Sequence, residues 1–92
     1  MSEISIRLDK WLFFARFFKS REKAAAAIAA GLIKLNGEKV EKPSQSIKPG
    51  DVLILPQGKL LKLIRVEQMG TRRGPALEAQ GLYEDLEKIT LQ

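Results

Sequence analysis

The chain of 92 residues contains neither cysteine nor histidine. Without cysteine there is no disulfide framework and no thiolate metal cage. Without either residue a zinc site would have to be assembled from carboxylates alone, against the preference of that ion for nitrogen and sulfur. The missing histidine also removes the commonest general base and the serine–histidine type of nucleophile activation. Long apolar runs are absent too: the longest, allowing glycine, covers residues 24–33. That is far short of the roughly 20 residues needed to cross a bilayer. The opening MSEISIRLDK lacks the basic and apolar regions of a signal peptide. The missing signal region and membrane span point to a soluble, cytoplasmic protein, while the absence of cysteine fits any compartment. The length accommodates one small domain, with roughly 64% of the unfolded surface hidden on folding.

Charge is what the chain has in quantity, with 16 Lys+Arg against 11 Asp+Glu and a formal net charge of +5. It is unevenly distributed. Residues 1–48 carry ten bases and five acids, residues 49–75 five and two, and residues 76–92 one and four. The tail therefore opposes a basic body, and residues 7–23 are the densest positive stretch. A small basic domain is suited to a polyanion, although a charge run is equally a solvated helix face.

Periodicity organises the rest. Leu8, Trp11, Leu12 and Ala15 fall at i, i+3, i+4 and i+7, which predicts a helix from Arg7 to about Ala15. Asp9 and Arg16 share one of its flanks. Ser20 is positioned to cap a second helix through Ala24–Ala30, with Glu22 suited to its dipole and Gly31 to its C-terminal stop. Leu32–Leu35 reads as a strand, Asn36-Gly37 as a type I′ hairpin turn, and Lys39–Glu41 as the return. Val52–Leu55 is a strand, Pro56-Gln57-Gly58 a turn, and Lys59–Met69 a long strand. Leu82, Leu86 and Ile89 have helical spacing, which predicts a helix over 76–89. The class is α+β: two N-terminal helices packed on a small antiparallel sheet, with a short C-terminal helical extension. The division is 1–70 for the domain and 71–92 for the extension, within one compact unit.

The ordered set Arg7-Leu8-Asp9-Lys10-Trp11-Leu12, Ala15-Arg16, Lys19-Ser20-Arg21, Ala24, Ile28 and Gly31 resembles the S4 RNA-binding domain. Ile33, Asn36-Gly37, Pro43-Ser44 and Gly50-Asp51 continue the resemblance, which spans about residues 7–55. Arg72-Arg73, Pro75, Glu78-Ala79 and Leu82-Tyr83-Glu84 look like the C-terminal extension of the small ribosome-associated heat-shock subfamily of that superfamily. Gly74, between the arginine pair and Pro75, departs from its pattern, and no terminal basic run is present. The resemblance implies a binding factor and not an enzyme, with no cofactor. It implies a partner in the large ribosomal subunit and its 23S-type rRNA, recognised while a nascent chain on transfer RNA is still attached after abortive subunit separation, in recycling or quality control. The protein is expected to act as a monomer, away from membranes.

Candidate RNA contacts are Arg7, Lys10, Arg16, Lys19, Ser20, Arg21, Lys34, Asn36, Arg72 and Arg73. Arginine forks two hydrogen bonds onto a phosphate, whereas lysine acts as a point charge. Several residues carry a structural reading alongside. Asp9 would repel phosphate, so its expected role is to orient Arg16 or Arg21, or to cap an amide. Ser20 caps a helix and can also offer that helix start to a phosphate. Asn36 is first a turn residue, with Lys34 beside it. Phe13 and Phe17 lie off the apolar stripe and either stack on bases or pack beneath a neighbouring element. Arg72 and Arg73 either extend the basic surface or flank a loop. Competing functions are membrane-surface binding through the aromatic and cationic residues 10–19, standalone catalysis, and another S4-type factor for transfer RNA, another ribosomal RNA, DNA or nucleic acid in general.

Overall fold

The computed structural model describes residues 4–86. A short strand β1 (Ile6–Arg7) leads directly into helix α1 (Leu8–Phe14). Arg7 is extended and offers no side-chain cap. The first amides of α1 are satisfied instead by backbone: Leu8 N–H donates to the Gln45 carbonyl at 2.7 Å and Asp9 N–H to the Pro43 carbonyl at 3.2 Å. The helix is thus one residue shorter at each end than the apolar stripe predicts. Strand β2 (Ile33–Leu35) follows helix α2 (Arg21–Ala29), which the Ser20 hydroxyl caps as expected, accepting from Lys23 N–H at 3.1 Å.

Both helices end in the same six-residue bonding pattern. At α2, Gly31 N–H donates to Ile28 and Leu32 N–H to Ala27. At α1, Arg16 N–H donates to Phe13 and Phe17 N–H to Leu12. These are Schellman closures, in which the residue after the cap is left-handed. Gly31 takes that position at φ 77°, and Arg16 at φ 67°. The turn swings Arg16 off the flank that an uninterrupted helix would share with Asp9.

Strands β3 (Glu38–Val40), β5 (Val52–Gln57), β6 (Leu60–Val66) and β7 (Tyr83–Asp85) join β2 in an antiparallel sheet ordered β3-β2-β5-β6-β7. A separate two-residue strand, β4 (Ser46–Ile47), pairs with β1. The β2–β3 hairpin turns on Asn36 and Gly37, both at positive φ as a type I′ turn requires. Ile33, Val40, Leu53, Leu55, Ile64 and Val66 are buried on the sheet's inner face, against Leu8, Trp11, Leu12 and Phe14 of α1 and Ala24, Ala27 and Ile28 of α2. Alanine at two of the three buried α2 positions lets the helix lie close to its neighbours. Trp11 is fully buried, and its indole N–H donates to the Gln68 carbonyl at 2.8 Å. Truncating such a residue costs about 3–5 kcal/mol.

The C-terminal region corrects the helical reading. Among the described residues of this region only Ala76–Gln80 is helical (α3), and Tyr83–Asp85 joins the sheet beside β6. Pairing with an exposed strand edge prevails over the helical spacing of Leu82 and Leu86, while Ile89 lies outside the described residues. Pro56 also belongs to a strand, opposite Leu61. It is accommodated because β2 pairs with β5 only at residues 53 and 54, leaving the β2 side of Pro56 without a ladder to interrupt.

Candidate nucleic-acid interface

The two arginines nearest the start of each helix meet on one carboxylate. Asp9 is 4% exposed. It accepts from Arg7 Nε at 3.1 Å and Nη2 at 2.9 Å, and Arg21 Nη2 stands 3.6 Å from it. Both arginine side chains are about half exposed, at 51% and 44%. Asp9 therefore joins β1 to the head of α2 and fixes two guanidiniums as a neighbouring pair. Hydrogen bonding to Asp9, then its charge, raises the Arg7 guanidinium above its ordinary range. The expectation that Asp9 orients Arg21 agrees with this geometry. Arg7 is the second partner, in place of Arg16, which sits beyond the other end of α1.

Lys19 and Lys34 are exposed, and neither forms an ion pair with a described residue. Lys34 lies directly opposite Lys39 across the β2–β3 ladder. Placing like charges face to face destabilises a sheet, and an anion bridging them would relieve that cost. Lys10 is half-buried, with its ammonium 5.7 Å from the Phe14 ring centroid. Arg21 opens α2, whose nine residues span about 13 Å, and Lys34 lies beyond its other end, in β2.

The remaining candidates have internal work. One Arg73 nitrogen donates to the carbonyls of Phe13 at 2.7 Å and Phe18 at 2.8 Å, and its guanidinium lies 4.5 Å from the Phe13 ring centroid. Arg16 Nε donates to the Gly74 carbonyl at 2.7 Å. Arg72 forks onto Glu78 at 3.1 and 2.6 Å, which holds the Glu78 carboxyl below its usual range. Together these three arginines pin residues 72–78 and the end of α1. Asn36 is a clamp as well: its side chain donates to Asp51 at 3.2 Å and accepts from Val52 N–H at 2.9 Å. Phe13 packs under Arg73, and Phe17 packs against Tyr83 with ring centroids 4.7 Å apart.

Lys39 and Lys42 were not singled out in the sequence. They line an open groove of about 450 Å³ beside Asn36. Glu38 and Glu41 line the same groove and balance them, which hides them from a charge count. Among the described residues no three Asp, Glu, Cys or His gather as a metal site, and no helix is long and apolar enough to cross a membrane. The aromatic segment over residues 10–19 commits Trp11, Leu12, Phe14 and Ala15 to the core.

Comparison with known proteins places this arrangement. The S4 domain family model matches residues 6–53. The chain is 40% identical over 87 residues to the Heat shock protein 15 homolog of Haemophilus influenzae, covering 95% of this chain and 66% of that protein. It is 39% identical over 82 residues to Heat shock protein 15 of Escherichia coli, covering 89% and 61%. A small ribosomal subunit protein uS4 from Nitratidesulfovibrio vulgaris is 35% identical over 85 residues, covering 88% of this chain and 41% of that protein. The trimeric structure of Vibrio cholerae Heat Shock Protein 15 superposes with a TM-score of 0.86 at 40% identity, over 92% of this chain and 85% of that one. The chain spans less than two thirds of the length of the curated heat-shock relatives it matches.

Proposed function

The chain belongs to the S4 domain family, grouping there with the heat shock protein 15 relatives, and on that premise we propose that it is an RNA-binding, ribosome-associated factor. The observation that carries this reading is the buried Asp9 carboxylate holding Arg7 and Arg21 side by side at the surface. An acid retained in the densest basic stretch costs attraction for a polyanion, and it repays that by fixing the spacing of two phosphate forks. Lys10, Lys19 and Lys34 extend the positive surface, and Arg16, Ser20, Asn36, Arg72 and Arg73 shape its borders. Recognition is by backbone geometry and shape, since the deep groove of A-form RNA withholds base edges from side chains.

The target is the large ribosomal subunit and its 23S-type rRNA, most of all subunits still carrying a nascent chain on transfer RNA. The role is recycling or quality control in the cytoplasm, by binding and without catalysis. The protein works as a monomer, whereas the Vibrio relative was solved as a trimer. Light scattering across a concentration series distinguishes these states. Sedimentation of the tagged protein with 50S, 70S and nascent-chain-loaded 50S particles tests the target. Co-migration with loaded 50S is expected, and migration with none of the three would refute it. About five neutralised phosphates give a log–log salt slope of roughly −3.5 on single-strand scaling; a slope near zero would remove the phosphate account. The similarity to uS4 proteins supports a second reading, a factor for another structured RNA. It predicts tighter binding to small-subunit or transfer RNA than to 50S, with DNA duplex as the reference.

A further inference from the structure

Beside the end of α1, an open depression of about 320 Å³ is lined by Arg16, Phe17, Gln57, Ala76, Gln80 and Tyr83. Its size is at the lower end of ligand sites, which run from roughly 300 to 1,000 Å³. Four features of its walls are those of a nucleobase site.

The aromatic wall is preassembled. Phe17 and Tyr83 are half-buried, 4.7 Å apart between centroids, and Trp11 backs both, at 6.1 Å from Phe17 and 6.5 Å from Tyr83. Rings held by a buried neighbour offer stacking surface with little loss of rotamer freedom on binding. The polar wall is uncommitted: the side-chain amides of Gln57 and Gln80 bond to no other group among the described residues. Each presents a donor and an acceptor side by side, the pattern that meets a base edge. The cation at the mouth is fixed. Arg16 spends one N–H on the Gly74 carbonyl, and its other donors stay available on an exposed side chain.

The fourth feature is backbone strain. The left-handed position that closes α2 is filled by glycine, and the equivalent position at α1 by Arg16 at φ 67°. A non-glycine residue there carries a conformational penalty. The fold tolerates that penalty at the one helix end where the side chain reaches this depression.

We infer that the depression between the end of α1 and β7 takes a single unpaired base of a structured RNA, stacked on the Phe17–Tyr83 wall, edged by the Gln57 and Gln80 amides, with Arg16 on its phosphate. The inference rests on the RNA-binding reading above. It adds to that reading a site that distinguishes a bulged or looped RNA from an uninterrupted helix.

The test uses the full chain and two RNA hairpins, one fully paired and one with a single unpaired 2-aminopurine. The wild-type protein is expected to bind the bulged hairpin more tightly and to shield the 2-aminopurine from acrylamide quenching. Ala76→Trp fills the depression from an exposed helix position and removes no packed contact. It should weaken the bulged hairpin roughly 5- to 150-fold, the range for one stacked base, and leave the paired hairpin unchanged. Tyr83→Leu, which keeps apolar bulk on β7, should do the same. Salt-dependent binding of both hairpins, with equal affinities and no shielding in any variant, would overturn the subsite and leave RNA binding standing. Failure of the wild type to bind either hairpin would overturn both. Tighter binding of adenosine monophosphate than of the bulged hairpin would make this a free-nucleotide site and overturn the inference.

Discussion

Replacing Arg16 by glycine should leave a more stable protein than replacing it by alanine. Both variants lose the guanidinium and its 2.7 Å bond to the Gly74 carbonyl, so that loss cancels between them. The remaining difference is backbone. Alanine keeps the left-handed strain at φ 67°, worth about 1–2 kcal/mol for a residue with a Cβ. Glycine relieves it but gives up about 0.4–1 kcal/mol through the greater freedom of its unfolded chain. At the middle of these ranges the net advantage of glycine is about 0.5–1 kcal/mol. For a domain of this size that corresponds to a melting difference of about 2–8 °C, measurable by far-ultraviolet circular dichroism. Gly31→Ala at the equivalent closure of α2 is the mirror experiment. It should destabilise by at least as much, because its added Cβ would also stand 2.9 Å from Lys39 Cδ. If R16A melts at or above R16G, the strain assigned to this position is absent, and one of the four supports for a base site goes with it.

Asp9→Asn removes a negative charge, so it would tighten RNA binding if net charge alone decided affinity. The orienting role predicts weaker binding, together with a loss of about 1–2 kcal/mol in urea titration, below the ~3–5 kcal/mol of a fully buried pair because both arginines can hydrate. Glu78 is held below its usual range first by its hydrogen bond from Arg72. A depressed carboxylate contributes stability above its unfolded range, and that contribution is lost as pH falls through the folded value. The Arg72 Nε–H chemical shift should therefore stay constant through the ordinary carboxylate range and move only at lower pH, as the bond to Glu78 is lost, and Glu78→Gln should abolish that pH dependence. Trp11→Phe leaves the Gln68 carbonyl without its donor and should cost about 1–3 kcal/mol by chemical denaturation, beyond the small change in apolar area.

Local rules read well where the signal was local. The Ser20 cap, the Gly31 stop and the Asn36-Gly37 turn each follow from the conformational freedom or hydrogen bonding of one or two side chains, and each stands in the fold. What required a distant partner was harder to read. Strands β1 and β4 have two residues each, too few to carry a period. β7 exists because β6 has an edge to pair, and nothing within Leu82–Leu86 says so. The arginines divide the same way. That Asp9 would steady Arg21 follows from charge, but Arg73 finds its carbonyls 60 and 55 residues away, beyond any spacing rule. The groove lysines Lys39 and Lys42 were obscured for another reason: Glu38 and Glu41, next to them in sequence, also line the groove and offset their charge there.

The bonds that complete α1 come from the far end of the domain. Trp11 reaches Gln68, Arg16 reaches Gly74, and Arg73 reaches back to Phe13 and Phe18, over separations of 55–60 residues. A chain made from its N-terminus at about 5–20 residues per second must wait some 3–12 s after α1 is synthesised before those partners exist. Throughout that interval the most aromatic helix of the protein has α2 and the first strands to pack on, but not the bonds that complete it. A truncation before residue 68 should consequently leave Trp11 without its carbonyl acceptor and without the Tyr83 ring, and present that end of the helix to whatever chaperone meets it first.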